Sequence, residues 1–353
     1  MLSFFKSFAD RSPAYSKLFF ISDNAGWVLD NEVKEVSGVA RSLGLNVYSE
    51  SPQKSWYKQS AFFPSFYMLM RSKPYKWKWN VASSYFHGMP GCGNDEFDNR
   101  FDKLTAMHHH IQRLHVSNYP FKETILQSGI SPEKVHVIPI GVNVDLFPLQ
   151  TESLKSKVRK SLGIPDSAVV IGSFQKDGNG WQDGEEPKLI KGPDILLETL
   201  ALLKTDVDNL HVLLSGPARG YVKAGLKRLG IPYLHHNVED YQDMYKLYHC
   251  LDLYLVTSRE EGGPKAVLES MATGIPLVTT RVGQARDLVN HGVNGWIADV
   301  NSVDELARHS LEVLSGSYDA TSYVIESRKT AERNSYINQK ELWRNFFKGF
   351  VTD

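Results

Sequence analysis

The sequence predicts an α/β protein made of two domains, each a parallel sheet covered by helices on both faces. Short apolar runs alternate with amphipathic stretches along most of the 353 residues, which is the βαβ rhythm of such sheets. A chain of this length also exceeds one ordinary core, at roughly 100 to 200 residues per domain. The first series runs from KLFFIS (17–22), a strand, through the helix-like VKEVSGVARSLG (33–44) to LNVYSE, and later to WNVASSYF and HVSN. It closes on KVHVIPIGVNVDLFP (134–148), where Pro139, Gly141 and Pro148 end a strand, and so residues 1–148 form the first domain.

The polar TESLKSKVRKSLGIPDS that follows reads as a linker and helix, and a second, more regular series fills 149–335. Its strands are AVVIGSFQ, LHVLLSG, IPYLHH, LDLYLVTS, IPLVTT and GWIADV. Its helices are PDILLETLALLK, VKAGLKRLG, YQDMYKLYHC, GPKAVLESMATG and VDELARHSLEVL. From about Ser327 to Asp353 the spacing is helical, with Trp343, Phe346, Phe347 and Phe350 able to share a face. Residues 336–353 are expected to form a helix that packs back on the N-terminal domain.

Lys plus Arg equals Asp plus Glu at 40 each, so no global field draws the chain to nucleic acid or to an anionic surface. Cys92 and Cys250 lack paired spacing, which argues against a disulfide framework or a zinc site and favours a reducing, cytoplasmic setting. The opening MLSFFKSFADRSPAYSK has neither the apolar core of a signal peptide nor the length of a span.

The most informative stretch is SREEGGPKAVLESMATGIPLVTTRVG (258–283), a strand end, a glycine turn and a helix. Glu261 and Glu269 bracket seven residues there. Gly262 and Gly263 let backbone approach a ligand, Pro264 suits a first helical turn, and the N–H groups from Lys265 and Ala266 onward point at an anion. The competing reading makes Glu261 a helix-dipole partner and Glu269 a solvated helical residue.

This arrangement, with the following ESMATGIPLV, resembles the donor-site motif of the retaining glycosyltransferases of family 4, also called glycosyl transferases group 1. VHVIPIGVNVDLF is similar to that family's interdomain segment, LHVLLSGPARG to its second-domain strand and loop, and NGWIADVNSVDELA to its closing strand and helix. The first domain matches only loosely. The resemblance implies the GT-B fold: two Rossmann-like domains facing across a cleft, the C-terminal helix crossing back, and the donor nucleotide held mainly by the second domain. It implies transfer of a sugar from a nucleoside-diphosphate donor to a glycan, lipid-linked or other hydroxyl acceptor, with retention and with no dissociable metal or other cofactor.

By the same resemblance Glu261 lies against donor-sugar hydroxyls and Glu269 binds the ribose. Lys191, before Gly192, matches a phosphate-binding lysine, but Ser173 stands where the family has an arginine, and Lys176 is the candidate replacement because a leaving diphosphate needs a cation. His87, at a strand end in SSYFHGMPGCG, is the active-site histidine. Asn24, Ala25 and Gly26 resemble the loop that approaches the donor phosphates, with Trp27 as an unusual companion. His235 to Glu239, including Val238, is expected to line the base. KDGNGWQDGEEPKLI is longer than the usual link and is read as a flap over the donor, with Trp181 reaching the ligand, or as an inert insertion.

Other features point elsewhere or nowhere. Asp206 and Asp208 form an Asp-x-Asp, but they precede a strand and so fall at the wrong end of the sheet for ligand binding. His108, His109, His110 and His115 offer no carboxylate at ligand spacing, so no metal site is predicted. From Ser51 to Asn94 there is no acidic residue, while Lys54, Lys58, Arg71, Lys73, Lys76 and Lys78 interleave with aromatics. That segment, 54–79, could touch a membrane surface or a lipid-linked acceptor, although Phe62, Phe66 and Trp79 read as core. Two further functions stay open: a nucleotide-sugar 2-epimerase of the same architecture, and a nucleotide-sugar binding protein that has lost catalysis.

Overall fold

The computed structural model describes residues 16–21, 28–49, 59–72, 80–180 and 182–351. The chain divides into two compact units, one formed by the residues up to Pro139 together with those from Gln339, the other by Ile140–Asn338.

The first unit contains β1 (Leu18–Phe20), α1 (Val28–Ser42), β2 (Val47–Tyr48), β3 (Ser60–Phe63), α2 (Phe66–Ser72), β4 (Asn80–Ser84), α3 (Asp95–Met107), β5 (Arg113–Val116), α4 (Tyr119–Gln127) and β6 (Val135–Val137). Its strands lie parallel in the order β2-β1-β3-β4-β5-β6, so the order reverses between β1 and β3. Strands such as Ser60–Phe63 and Asn80–Ser84 are buried along their whole length, as a sheet covered on both faces requires.

The second unit contains α5 (Glu152–Leu162), β7 (Val169–Phe174), α6 (Pro193–Asp206), β8 (Leu210–Ser215), α7 (Gly220–Leu229), β9 (Tyr233–His235), α8 (Met244–Tyr248), β10 (Leu253–Val256), α9 (Lys265–Thr273), β11 (Leu277–Thr280), α10 (Ala285–Leu288), β12 (Trp296–Ala298), α11 (Val303–Leu314) and α12 (Ala320–Arg333). The parallel order is β12-β11-β10-β7-β8-β9. In sequence terms this is the doubly wound 3-2-1-4-5-6 order, and the switch falls between β7 and β10. One apolar core lies around Tyr248, Leu251, Leu268 and Met271, and a second around Leu196, Leu200, Leu226 and Trp296. Arg159 of α5 is buried and bonds the Cys250 carbonyl at 3.0 Å and Asp252 at 2.7 Å. Cys250 is free, and burial pushes its thiol up to about 11.

The helical spacing expected from Ser327 to Asp353 does not continue as one helix. It stops at Arg333, where Asn334 Nδ2 and Asn338 Nδ2 donate to the carbonyls of Thr330 and Glu332 and so help to satisfy the last turn. The chain resumes as α13 (Lys340–Phe347). There Trp343, Phe346 and Phe347 pack edge-on against Phe62 of β3 at 5.8 to 6.5 Å. Ser60 Oγ and Asn80 Nδ2 donate to the Phe350 carbonyl, so the crossing-back segment is fixed to the first sheet by backbone as well as by rings.

Phe62 and Phe66 are core residues, as their pattern suggested, and Phe63 joins them, so none of the three is available to a membrane. Lys54, Lys58, Lys73, Lys76, Lys78 and Trp79 lie outside the described residues, as do Asn24 to Trp27 and Trp181. Among the described residues no helix is long and apolar enough to cross a membrane.

Candidate active site

The switch between β7 and β10 places two loops side by side at the carboxyl ends of the second sheet, where open α/β sheets hold ligands. The loop after β10 carries Thr257 to Pro264. Its carboxylate Glu261 is mostly buried and accepts from Lys191 Nζ at 2.5 Å and from Ser258 Oγ at 2.9 Å. Lys191 is held for this contact by its own backbone. Gly192 sits at φ +62, and a Cβ there would lie 1.9 Å from the Thr257 carbonyl oxygen, so only glycine permits the approach. Arg259 donates from its backbone to the Ile190 carbonyl and pairs with both oxygens of Asp194 at 2.7 Å, tying the two loops together.

Helix α9 begins at Lys265, with Pro264 as its N-cap at φ −64, one position ahead of the expected first turn. A Cβ on Gly263 would strike Ile140 at 2.6 Å. The turn is stapled by Gln284, which is fully buried: its backbone donates to the Gly262 carbonyl at 3.0 Å, and its Oε1 accepts from the Ile140 N–H at 2.8 Å. The side chain of Lys265 turns inward, donating to Tyr336 OH at 3.2 Å with its ammonium 5.2 Å from the Tyr241 ring centre. Ala266 packs on the core, as does Val238.

Glu269, on the next turns of α9, is 4% exposed. Its Oε1 accepts from Tyr241 OH and its Oε2 from Tyr248 OH, the latter at 2.8 Å. It is therefore not the solvated helical residue of the competing reading. Burial, with the Glu269 charge adding to it, holds the Tyr248 phenol well above its ordinary value, so it stays a proton donor.

At the β7 side, Ser173 is buried and its Oγ accepts from Arg219 Nη2 at 3.1 Å. Arg219 also reaches the carbonyls of Ser173, Gln175 and Ser215 and pairs with Asp177 at 2.9 Å, with neither side chain exposed. Burial raises the Asp177 carboxyl above its ordinary value in spite of the guanidinium beside it. Lys176 precedes this pair and keeps part of its surface in solvent. The stretch read as a flap is anchored: Asn179 donates to the Glu186 carbonyl, Lys188 to that of Asp177, and Tyr221 to that of Gly184. His235 Nε2 donates to the Gly216 carbonyl and Asn237 Oδ1 accepts from the Gly216 N–H, both at 2.8 Å, which positions 235–238 beside the end of β8.

In the first unit, His87 follows β4 and its Nε2 lies 2.6 Å from Ser65 Oγ, just past β3 at that sheet's own switch. Ser65 Oγ also accepts from the Tyr67 N–H, which fixes the hydroxyl beside the imidazole. Asp206 ends α6 and Asp208 follows it before β8, at the opposite end of the second sheet from Glu261. His108, His109 and His110 form a 3-10 turn after α3.

The structure brings Lys191, Glu261, Gly262, Gly263, Pro264 and Glu269 into one neighbourhood. Sequence reasoning missed Ser258, Tyr241, Tyr248, Gln284 and Arg219. The tyrosines had a signal, since the spacing in YQDMYKLY puts them on one side of a helical stretch. Gln284 and Arg219 had none, because the partners that matter, Ile140 for the one and Ser173 and Asp177 for the other, are far away in sequence.

The family model described as glycosyl transferases group 1 matches residues 187–336, which includes the whole of the Lys191, Glu261 and Glu269 arrangement. A D-inositol 3-phosphate glycosyltransferase of Corynebacterium urealyticum is 28% identical over 180 residues, covering 47% of this chain and 39% of that protein. A GDP-mannose-dependent monoacylated alpha-(1-6)-phosphatidylinositol monomannoside mannosyltransferase of Corynebacterium glutamicum is 26% identical over 212 residues, 57% of this chain and 52% of that one. The matches thus span about half the length of these curated relatives, or less. Among solved structures, HepE of Anabaena in complex with UDP-glucose superposes with a TM-score of 0.73 at 17% identity, covering 94% of this chain and 99% of HepE. That likeness shows the GT-B fold. It is residues 187–336, rather than the whole chain, that are similar to the glycosyl transferases group 1 family.

Proposed function

We propose that the chain is a glycosyltransferase that moves a sugar from a nucleoside-diphosphate donor to a hydroxyl acceptor, with retention and without a dissociable metal. The observation that carries the reading is the pair of carboxylates, Glu261 and Glu269, on the two flanks of the Gly262–Gly263 turn at the β7/β10 switch, with Lys191 on the first of them. Glu261 takes the donor-sugar hydroxyls and Glu269 the ribose. Lys191 keeps two further N–H donors beyond the one on Glu261, and these, with the N–H groups opening α9, neutralise the departing diphosphate. Lys265 and Ala266 contribute backbone there, since their side chains face inward.

Retention follows from the family resemblance: the leaving phosphate oxygen takes the proton of the acceptor hydroxyl as that hydroxyl attacks the anomeric carbon on the same face. Lys176 supplies the second positive charge, because Arg219 is fully buried and committed to Asp177 and to backbone carbonyls. His87 contacts the donor sugar. The names of the relatives speak of D-inositol 3-phosphate and of a phosphatidylinositol monomannoside as what those proteins act on; for this chain the reading stays with a glycan or lipid-linked hydroxyl compound, handled in the cytoplasm or at its membrane face.

The test is transfer from UDP-, GDP- and ADP-sugars to such acceptors, with the product anomer read by proton NMR and the rate measured with and without EDTA. Transfer with a retained anomer, insensitive to EDTA and lost in Glu261→Ala, supports the proposal. An inverted product removes the retaining mechanism. An epimeric sugar nucleotide formed without acceptor favours the isomerase, and tight donor binding with no turnover favours a binding protein.

A further inference from the structure

The two phenols on Glu269 are not equivalent. Tyr248 is fully buried, its ring packed among Phe147, Phe174 and Tyr254 with centroids 5.1 to 6.0 Å away. It sits on α8 inside the core and has no room to leave. Tyr241 is only partly buried and belongs to a three-residue 3-10 turn, Tyr241–Asp243, at the end of the segment that follows β9. One face of its ring meets Phe147 at 5.9 Å, and the Lys265 ammonium stands 5.2 Å from the ring centre. Between them, Tyr241 and Tyr248 cover a carboxylate whose residue is 4% exposed, so a ribose diol cannot reach both oxygens while both phenols stay.

We propose that Tyr241 is a positioning residue that stoppers the ribose carboxylate: its phenol occupies Glu269 Oε1 until the 2′- and 3′-hydroxyls of a ribonucleotide replace it, while Tyr248 keeps Oε2 and fixes the rotamer. The inference rests on the reading of Glu269 as the ribose ligand. It adds that the protein exchanges one hydrogen bond for another on binding, so that the ribose contact adds less to affinity than an open carboxylate would give. A group that must leave before binding lowers apparent affinity by the fraction of molecules in which it has left. The stopper also protects the protein, since a buried carboxylate oxygen without a donor is costly.

The experiment is calorimetric titration of the full chain with UDP, GDP and ADP and with the 2′,3′-dideoxy form of whichever binds, alongside thermal unfolding. The readout is the ratio of ribo to dideoxy affinity. Tyr241→Phe is expected to lower the melting temperature without nucleotide and to raise that ratio roughly 10- to 150-fold, the scale of one hydrogen bond to a charged group. Dideoxy affinity stays as in the wild type. Tyr248→Phe does not raise the ratio. A ratio that is unchanged or lower in Tyr241→Phe, with nucleotide still bound, overturns the stopper. Should Tyr241→Phe not fold, Lys265→Gln loosens the ring while leaving the phenol in place, and its ratio rises if the proposal holds and stays put if it fails. If the wild type binds none of the three nucleotides, it is the donor-site reading that falls.

Discussion

Glu261 and Lys191 lie far apart in sequence, yet they meet at 2.5 Å because Gly192 lets the 3-10 turn Leu189–Lys191 before α6 close on the Thr257 carbonyl. The lysine's remaining donors give it a task that Lys265 does not share, since the side chain of Lys265 is turned into the core. Lys191→Ala is therefore expected to cut the transfer rate by about 100-fold or more, the usual effect of removing one transition-state donor, with little change in melting temperature. Steady-state kinetics with saturating donor, paired with a thermal melt, checks both halves. Gly192→Ala acts at the same place by a different route. It puts a Cβ at positive φ onto the Thr257 oxygen, so it is expected to lower both activity and melting temperature. A variant that loses neither would mean the loop can shift without moving Lys191.

At the scale of elements, the loop after β7 depends on one buried ion pair. Arg219 and Asp177 are both unexposed, and the guanidinium also bonds three backbone carbonyls, so the pair joins the ends of β7 and β8 to the long 176–190 stretch. Removing one partner leaves an uncompensated buried charge, at about 3–5 kcal/mol. Arg219→Met is expected to lose stability on that scale in urea unfolding, and the double variant Arg219→Met with Asp177→Leu to recover a good part of it. Simple additivity of the two single losses would show that the residues do not act as a pair. The serine at 173 fits this arrangement, because its Oγ accepts from Arg219 Nη2 and a second guanidinium at that position has no acceptor to offer.

Across the whole molecule, the clearest pH dependence belongs to the first unit. His115 is fully buried on β5, with Nε2 on the Ile138 carbonyl at 2.7 Å and Nδ1 on Ser84 Oγ at 2.9 Å, and burial pulls its pKa down to about 4. His136 on β6 is lowered to about 4 as well, again by burial first and then by Arg113. Below the ordinary value of 6.5 the unfolded chain takes up protons that the folded unit refuses until about 4, so stability present at neutral pH is lost as pH falls through that window. For His115 the full loss is about 3 kcal/mol. The urea midpoint of the transition that reports the first unit is expected to fall between pH 7 and pH 4.5. His115→Gln, which cannot titrate, should shrink the fall, and an equal fall in the variant would assign the acid sensitivity elsewhere.

The apolar runs and their spacing settled the α/β class, the strands from Val169 to Ala298 and the glycine turn between two carboxylates, because these are local matters of periodicity, backbone freedom and chain direction. The resemblance read from the motif supplied Glu261, Glu269 and Lys191 as partners. Strand order was beyond the sequence, since nothing in β7 or β10 announces that they lie side by side, and that adjacency is what puts Gln175, Lys191 and Glu261 around one point. The break at Asn334 was missed for the same reason: periodicity continued through it, while Asn334 and Asn338 capped the helix and α13 found its partner in Phe62 of β3. What only the tertiary structure decided was which polar groups face each other. Hydrogen bonds and ion pairs between distant segments carry no periodic signature, and so Tyr241 and Tyr248 on Glu269, Gln284 on Ile140 and Arg219 on Asp177 became visible only once the sheets were assembled.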